Sequence, residues 1–194
     1  VEKRITDKTK AIVVVHLFGM PSNMDALVAV AKKHNLNILE DASHAHRATY
    51  KGKPIGSFGD VSIFSMQGNK LCPSGEGGIL LCDDEKLLES AVRLGHYERL
   101  LNLESKNRHF AATGFGFKFR MAPMAAALAL SQLKHLKERN ATRNANCIYL
   151  SEKLQTLGID PFLAGEGIDR VYFEFLVRYD ESITGLPISD LAKA

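Results

Sequence analysis

Residues 38–78 read ILEDASHAHRATYKGKPIGSFGDVSIFSMQGNKLCPSGEGG, and the rest of the chain is best understood from this segment. A first short apolar run ends in Glu40 and Asp41, and a second ends in Ser65, with Lys70 following after a polar turn. Both runs have the composition of buried strands. In open α/β sheets, ligands bind just beyond the carboxyl ends of such strands. We therefore expect an acid, a hydroxyl and a lysine together at one sheet edge.

A lysine near a carboxylate and a hydroxyl is the combination that pyridoxal 5′-phosphate (PLP) requires. The lysine forms a Schiff base with a carbonyl, while the carboxylate faces the pyridinium nitrogen and other donors hold the phosphate. Lys70, Asp41 and Ser65 are the candidates for these three roles. When an amine displaces the lysine, its side chain can carry a proton between carbon atoms. These residues therefore predict PLP as the cofactor, with Lys70 and Asp41 as catalytic residues.

Four segments of residues 38–78 also resemble one enzyme family in order and spacing, namely EDASHA, GSFGD, FSMQGNK and SGEGG. They closely resemble the nucleotide-sugar aminotransferases of the DegT type, which are PLP enzymes with the aspartate-aminotransferase fold (fold type I). The resemblance implies that Asp41 pairs with the pyridine nitrogen and that His44 packs near the cofactor ring. It also implies that Ser65 binds the cofactor phosphate and that Lys70 is the Schiff-base lysine.

The resemblance extends to a basic segment that precedes a long predicted helix. Gly114 to Arg120 reads GFGFKFR, where the family has Gly-x-Asn-x-Arg/Lys-Met, and Lys118 occupies the position of the asparagine. In the family this asparagine reaches the cofactor phosphate of the partner subunit, which implies a homodimer with shared active sites. A lysine binds a phosphate as a point charge, so Lys118 is a candidate cofactor-binding residue.

Composition supports a folded protein and excludes several functional classes. Of the 194 residues, 45% are hydrophobic, and the net charge of +3 is too small and too mixed for nucleic-acid binding. No apolar run approaches the roughly 20 residues needed to cross a bilayer. Three cysteines without a CxxC or Cys/His cluster predict reduced thiols in a cytoplasmic protein and no metal site.

The expected fold is an α/β three-layer sandwich with a mostly parallel sheet. Residues 1–122 would form part of a PLP-binding major domain, 123–157 a long connecting helix, and 158–194 the start of a small α+β C-terminal domain. In the resembling family, a further N-terminal part carries a phosphate-binding helix terminus and an aromatic residue that stacks on the cofactor. We therefore expect this chain to cover roughly half of a complete family member.

Local patterns predict individual elements. Ala11 to Leu17 is β-branched and apolar, which favours a parallel strand covered on both faces. Ser22 to Asn35 is expected to form a helix with a capping box made by Ser22 and Asp25. Strand, helix and strand at this spacing form a right-handed βαβ unit. The alternation in Val171 to Arg178 predicts a strand of the C-terminal domain.

The favoured function is transfer of an amino group from an amino acid, glutamate or glutamine, to a keto-sugar that is nucleotide-linked. One alternative is a PLP-dependent sugar dehydratase of the same family, although the known type has histidine in place of the lysine. Another is a catalytically incompetent fragment or binding module. A Rossmann dehydrogenase is disfavoured because no GxGxxG follows a predicted strand.

Overall fold

The computed structural model describes residues 1–112, 117–191 and 193. The strands are β1 (Ala11–Val15), β2 (Asn37–Asp41), β3 (Thr49–Tyr50), β4 (Lys53–Pro54), β5 (Val61–Ser65), β6 (Gly78–Leu81), β7 (Asp160–Pro161), β8 (Ile168–Asp169) and β9 (Val177–Arg178). The α-helices are α1 (Met24–His34), α2 (Glu85–Gly95), α3 (Pro123–Thr156), α4 (Glu181–Thr184) and α5 (Ile188–Leu191). Short 3₁₀ segments occur at Glu2–Arg4, Leu17–Gly19, Tyr97–Asn102 and Arg108–Ala112.

The main sheet has the strand order β1-β2-β5-β6. β1, β2 and β5 run parallel, whereas β6 is antiparallel to β5. Val15 lies opposite Asp41, and Asp41 lies opposite Ile63, so the carboxyl ends of three neighbouring strands meet at one edge. The expected α/β fold with a mostly parallel sheet is confirmed.

The prediction that β1 is covered on both faces is wrong for the described chain. Ile12 and Val14 are buried in the core, but Val13 is 62% exposed and Val15 is 46% exposed. Side chains alternate between the two faces of a strand, and only one face of β1 packs against residues of this chain. The β-branched composition therefore predicted that a strand forms here, but it did not predict whether the second face of the strand is buried.

Helix α1 is capped by a different residue from the one that its sequence suggested. The side chain of Asn23, not that of Ser22, accepts a hydrogen bond from Ala26 N at 3.1 Å. Ser22 is engaged elsewhere, because its hydroxyl donates to Val15 O at 3.0 Å. Asparagine and serine are nearly equal as N-caps, so the contact made by Ser22 with the end of β1 decides between them.

The predicted strand from Val171 to Arg178 is mostly wrong. Only β9, at its end, pairs with β7, while Val171 N donates to Gly19 O and Phe173 N donates to Phe18 O. Val171 is buried in the main core, so the alternating pattern reflects packing on the turn after β1 rather than pairing in a separate sheet. Just before it, β8 pairs with β3.

The long helix α3 confirms the helix expected over residues 123–157. It ends at Thr156, and Gly158, just beyond its C-cap Leu157, has the positive φ of 75° that suits a residue after a helix C-terminus. Leu136 is buried in the core, and Asn140 donates from Nδ2 to His46 O at 3.0 Å. The division into a major domain, a connecting helix and a small domain stays a prediction.

Candidate active site

Strand β2 sends its two acids to opposite faces of the sheet. Ile38 and Glu40 are buried, whereas Leu39 and Asp41 are half-buried on the other face. Asp41 is the last residue of the strand, and its Oδ1 accepts a hydrogen bond from Ser43 N at 3.1 Å. The turn that begins at Asp41 therefore fixes the carboxylate at the sheet edge where the strand ends.

Glu40 is a structural acid that the sequence analysis did not single out. It is fully buried and accepts hydrogen bonds from three backbone N–H groups of the loop 56–59, at 2.6–2.8 Å. Its Oε2 also lies 3.1 Å from His16 Nε2, while Ser22 N donates to His16 Nδ1 at 3.1 Å. Burial alone would raise the pKa of the Glu40 carboxyl, but these hydrogen bonds outweigh burial and the pKa is lowered.

Lys70 lies on a tight turn that follows β5. Its backbone N–H donates to Gln67 O at 2.9 Å. The Nζ atom lies 4.4 Å from the centre of the Phe173 ring, and this ring stacks on His44 with centroids 4.0 Å apart and planes at 13°. Phe173 thus joins the lysine and the histidine that were predicted to contact one cofactor.

His44 is another predicted cofactor-binding residue, and its surroundings shift its pKa. Burial and the charge of Lys70 lower the pKa of His44, whereas the charges of Asp41 and Glu174 oppose this shift. His44 Nδ1 accepts a hydrogen bond from Phe18 N at 3.2 Å. Through Phe173, His44 is linked to Lys70, and Asp41 precedes His44 by three residues at the end of β2.

Ser65 ends strand β5 and lies opposite Gly78. Its Oγ accepts a hydrogen bond from Gln67 N at 3.4 Å. Together with Ser43 and Gly77 it lines a cavity of about 530 Å³ that helix α2 borders on the other side. Ser65 therefore borders open space beside the end of β5, whereas Asp41 and Lys70 are not among the residues that line this cavity.

The glycine-rich segment allows the backbone to pass close to its neighbours. Gly77 has φ 156°, and a Cβ at this position would lie 2.6 Å from the Met121 side chain. Its carbonyl accepts from Met66 N at 2.9 Å, and Ser74 Oγ donates to Met66 O at 3.1 Å. These contacts support a close-packing role for the glycines beside the lysine turn.

Lys118 lies in a different group from the other predicted site residues in this single chain. Its Nζ lies 3.3 Å from Glu98 Oε1 and 5.5 Å from the Tyr97 ring centre. Hydrogen bonds to Tyr97 and then to Glu98 raise the pKa of Lys118. Arg120 also pairs with Glu98. The contact of Lys118 with a partner's cofactor phosphate stays a prediction, and residues 113–116 of its motif lie outside the described residues.

Phe18 and Phe173, two aromatic residues that stack near His44, were not predicted from the sequence as site residues. The ring centroids of Phe18 and Phe173 lie 6.1 Å and 4.0 Å from that of His44, and both rings are nearly parallel to the imidazole. The signal was present in the alternating apolar residues around Phe173, but an alternating pattern does not say what it packs against. Over the described part of the chain, no group of three potential metal ligands occurs, and no helix is long and apolar enough to span a membrane.

Two curated relatives show how much of a longer protein this chain matches. L-glutamine:scyllo-inosose aminotransferase of Streptomyces griseus is 35% identical over 200 residues, covering 100% of this chain and 47% of the relative. GDP-perosamine synthase of Caulobacter vibrioides is 38% identical over 188 residues, covering 94% of this chain and 48% of the relative. The chain therefore spans about half the length of the curated relatives that it matches.

Two solved structures show how closely the fold of this chain matches known proteins. DesV of S. venezuelae superposes with a TM-score of 0.78 at 35% identity, covering 91% of this chain and 46% of the other. GDP-4-keto-6-deoxy-D-mannose-3-dehydratase of E coli was solved with bound hydrated PLP. It superposes with a TM-score of 0.82 at 25% identity, covering 99% of this chain and 52% of the other.

A family model also matches nearly the whole chain. It describes the DegT/DnrJ/EryC1/StrS aminotransferase family and covers residues 1–192. This agrees with the resemblance carried by the motifs around Asp41 and Lys70, and with the aminotransferase name of the Streptomyces griseus relative. The chain belongs to the DegT/DnrJ/EryC1/StrS aminotransferase family.

Proposed function

We propose that this chain supplies the PLP-binding part of an aminotransferase that acts on a keto-sugar. The observation that carries the proposal is that the Phe173 ring lies 4.4 Å from Lys70 Nζ and stacks on His44, which follows Asp41 at the end of β2. An amine and a carboxylate at one sheet edge, with a hydroxyl on the neighbouring strand, form the donor set that PLP requires. When bound, PLP supplies an electron-withdrawing ring that allows a proton to leave the carbon next to nitrogen.

Each residue has a defined part in holding the cofactor. Lys70 would hold PLP at its aldehyde carbon, Asp41 would pair with the pyridinium nitrogen, and His44 would pack near the ring. Ser65 would donate its hydroxyl to the phosphate, and it lines the cavity beside β6. Lys118 would contribute to the phosphate site of a second copy, which makes the proposed enzyme a homodimer with shared sites.

Lys70 is the proposed general acid and base. Its Nζ would remove a proton from the carbon that carries the donor's amino group and, in the second half of the reaction, would deliver a proton to the sugar carbon that gains the amine. The Phe173 ring covers the ammonium group at 4.4 Å and limits its contact with water. Burial and the charge of Lys70 lower the pKa of His44, so this imidazole is neutral at pH 7 and adds no competing charge beside the lysine.

The donor and acceptor are proposed by analogy with named relatives. Two relatives use L-glutamine with inososes, according to their names, and another is a GDP-perosamine synthase. We propose glutamine or glutamate as donor and a nucleotide-linked keto-sugar as acceptor. The donor would leave as a 2-oxo acid while the sugar carbonyl becomes an amine. The three cysteines are free thiols, which fits the proposed cytoplasmic location.

A PLP-dependent sugar dehydratase is the second candidate, because a dehydratase of known structure superposes with a TM-score of 0.82. The lysine at position 70 favours amination, since transamination needs an amine that both holds the cofactor and moves the proton. An assay with full-length protein separates the two by product mass. Amination replaces the sugar carbonyl oxygen by an amine, whereas dehydration removes water and leaves no new nitrogen.

The assay offers L-glutamine or L-glutamate with either a nucleotide-linked 4-keto-sugar or scyllo-inosose. An aminated nucleotide sugar is the expected product. Amination of scyllo-inosose alone would overturn the nucleotide-linked part of the proposal but not the aminotransferase part. A folded, PLP-supplemented full-length protein that aminates neither acceptor and shows no visible cofactor band would support the non-catalytic alternative.

A further inference from the structure

The turn that follows β1 has an unusual backbone conformation. Phe18 has φ 54° and ψ 20°, and Gly19 has φ 84°. A bulky residue with positive φ costs free energy and persists only where the surrounding structure imposes it. Such strain is often found where a structure fixes a functional group, so the contacts on both sides of this turn are informative.

Residues 170–173 hold one side of the turn. Arg170 donates from its second terminal nitrogen to Phe18 O at 3.4 Å, and Phe173 N donates to the same carbonyl at 3.3 Å. Val171 N donates to Gly19 O at 3.1 Å, and a Cβ at Gly19 would lie 2.1 Å from Val171 O. The turn and this segment are therefore in direct backbone contact.

Arg170 is fixed on three sides. It is only 5% exposed, its other terminal nitrogen donates to Phe162 O at 2.5 Å, and its guanidinium lies 4.0 Å from the Tyr172 ring centre. Asn144, on helix α3, donates from Nδ2 to the Arg170 carbonyl at 3.0 Å. A guanidinium presents several donors in a rigid plane, which suits it to hold two carbonyls from distant segments at a fixed separation.

The opposite side of the turn contacts the candidate active site. Phe18 N donates to His44 Nδ1 at 3.2 Å. In a neutral imidazole one nitrogen donates and the other accepts, so this bond leaves Nδ1 without a proton and places the proton on Nε2. The hydrogen bond made by one ring nitrogen of a histidine therefore determines whether the other nitrogen is protonated.

We propose that Arg170 is a positioning residue that, through the Phe18–Gly19 turn, holds His44 as the Nε2–H tautomer. The inference rests on the proposed function, since it assigns His44 as a hydrogen-bond donor within the PLP site beside Lys70 and Asp41. An imidazole that donates from Nε2 selects an acceptor atom on its ligand, whereas the other tautomer would repel the same atom. Arg170 acts without touching that ligand.

The tautomer can be measured without turnover. Full-length protein is labelled with ¹⁵N-histidine, and the His44 ring nitrogens are assigned by comparison with His44→Gln. Two-bond ¹H–¹⁵N spectra are recorded at about pH 8, above the ordinary histidine pKa of about 6.5. The wild type is expected to show Nδ1 as an unprotonated nitrogen and Nε2 as a protonated one. A wild-type His44 protonated at Nδ1 would overturn the proposal.

Two variants test the role of Arg170. Arg170→Met removes the donors to Phe18 and Phe162, and we expect the tautomer ratio to move about fivefold toward Nδ1–H, as for loss of one hydrogen bond. Arg178→Met is the matched control, because this arginine is exposed in the same segment, and it should leave the His44 shifts unchanged. If Arg170→Met does not fold, Asn144→Ala loosens Arg170 more gently and should move the shifts in the same direction.

Unchanged His44 shifts in a folded Arg170→Met variant, or in Asn144→Ala where that variant is the one available, would contradict the proposal. The result is also separable from the proposed function. If Lys70 carries no cofactor but His44 Nδ1 is unprotonated and responds to Arg170→Met, the positioning role stands and the PLP assignment fails. If Lys70 carries the cofactor and the His44 shifts do not respond to Arg170→Met, the PLP assignment stands and the positioning role fails.

Discussion

The Nζ atom of Lys70 lies 4.4 Å from the ring centre of Phe173, although the whole of helix α3 separates the two residues in sequence. Backbone hydrogen bonds to the turn after β1 hold the segment that carries Phe173. A ring in this place covers the lysine and stacks on His44. The segment after α3 thus forms one wall of the candidate active site.

Removing the Phe173 ring should weaken catalysis without abolishing cofactor attachment. Cation–π and ring-stacking contacts each contribute about 0.5–1.5 kcal/mol, so Phe173→Ala should lower kcat/KM by roughly tenfold. Phe162→Ala, which truncates an exposed ring of the same region, is the control. Steady-state kinetics with the accepted keto-sugar measure kcat/KM for Phe173→Ala and for Phe162→Ala. Equal kinetics of Phe173→Ala and wild type would show that the ring has no part in the site.

Replacing Asp41 by Asn should separate cofactor attachment from catalysis. Truncating one partner of a hydrogen-bonded charge pair costs about 2–5 kcal/mol, which corresponds to at least a 30-fold loss of transamination rate at about 1.4 kcal/mol per tenfold. Lys70 remains available to hold the cofactor. Visible absorbance measures attachment, and single-turnover kinetics with the amino donor measure the rate. A variant that transaminates at the wild-type rate would remove Asp41 from the proposed mechanism.

Glu40→Gln should destabilise the fold in a pH-dependent way. The amide places an N–H group among donors that face the carboxylate, and breaking a buried charged network costs about 2–5 kcal/mol. Since folding lowers the pKa of Glu40, its stabilisation is present above the unfolded value of about 4.3 and is lost as the pH falls through the folded pKa.

Urea unfolding of wild type and Glu40→Gln at pH 7, 5 and 3 measures this difference. The gap in the free energy of unfolding should be largest at pH 7 and should shrink below about pH 4.3. Glu152→Gln, at an exposed position of α3, should match the wild type throughout. A gap that widens as the pH falls would have the wrong sign for a carboxylate stabilised by the fold.

A matched pair of glycine substitutions tests the contact between the turn and residues 170–173. Gly19→Ala and Gly52→Ala both introduce a side chain at positive φ, 84° and 76°, but only at Gly19 would the new Cβ meet an atom, Val171 O at 2.1 Å. Gly52→Ala should cost about 1–2 kcal/mol of unfolding free energy, and Gly19→Ala about 4 kcal/mol or more. Equal losses in urea unfolding would mean that the close contact is absent.

Sequence patterns predicted most of the fold because the relevant signals are local. Apolar runs predicted the parallel strands, and the long helix predicted over residues 123–157 corresponds to α3 (Pro123–Thr156). The site residues Asp41 and Lys70 follow from strand ends and motif spacing. It was less evident from the sequence that Glu40 and Asp41 lie on opposite faces of β2. The two acids are adjacent, and only the alternation of buried side chains that begins at Ile38 separates them.

Contacts between distant segments could not be predicted in the same way. The alternation around Phe173 predicted a regular strand, but those residues pack on the Phe18–Gly19 turn, and periodicity does not identify a packing partner. The choice of Asn23 over Ser22 as the α1 cap depended on the position of Val15 O. Such outcomes require the tertiary structure, because near-equal local preferences are decided by long-range contacts.

Mass spectrometry after borohydride reduction tests most directly whether Lys70 holds the cofactor. Full-length protein is saturated with PLP, reduced and digested, with Lys53→Ala, which removes an exposed lysine, as the matched control for Lys70→Ala. We predict a pyridoxyl mass on the peptide containing Lys70 in the wild type and in Lys53→Ala, and none in Lys70→Ala. An unmodified Lys70 in folded, PLP-saturated protein, or a stoichiometric adduct on another lysine, would contradict the account.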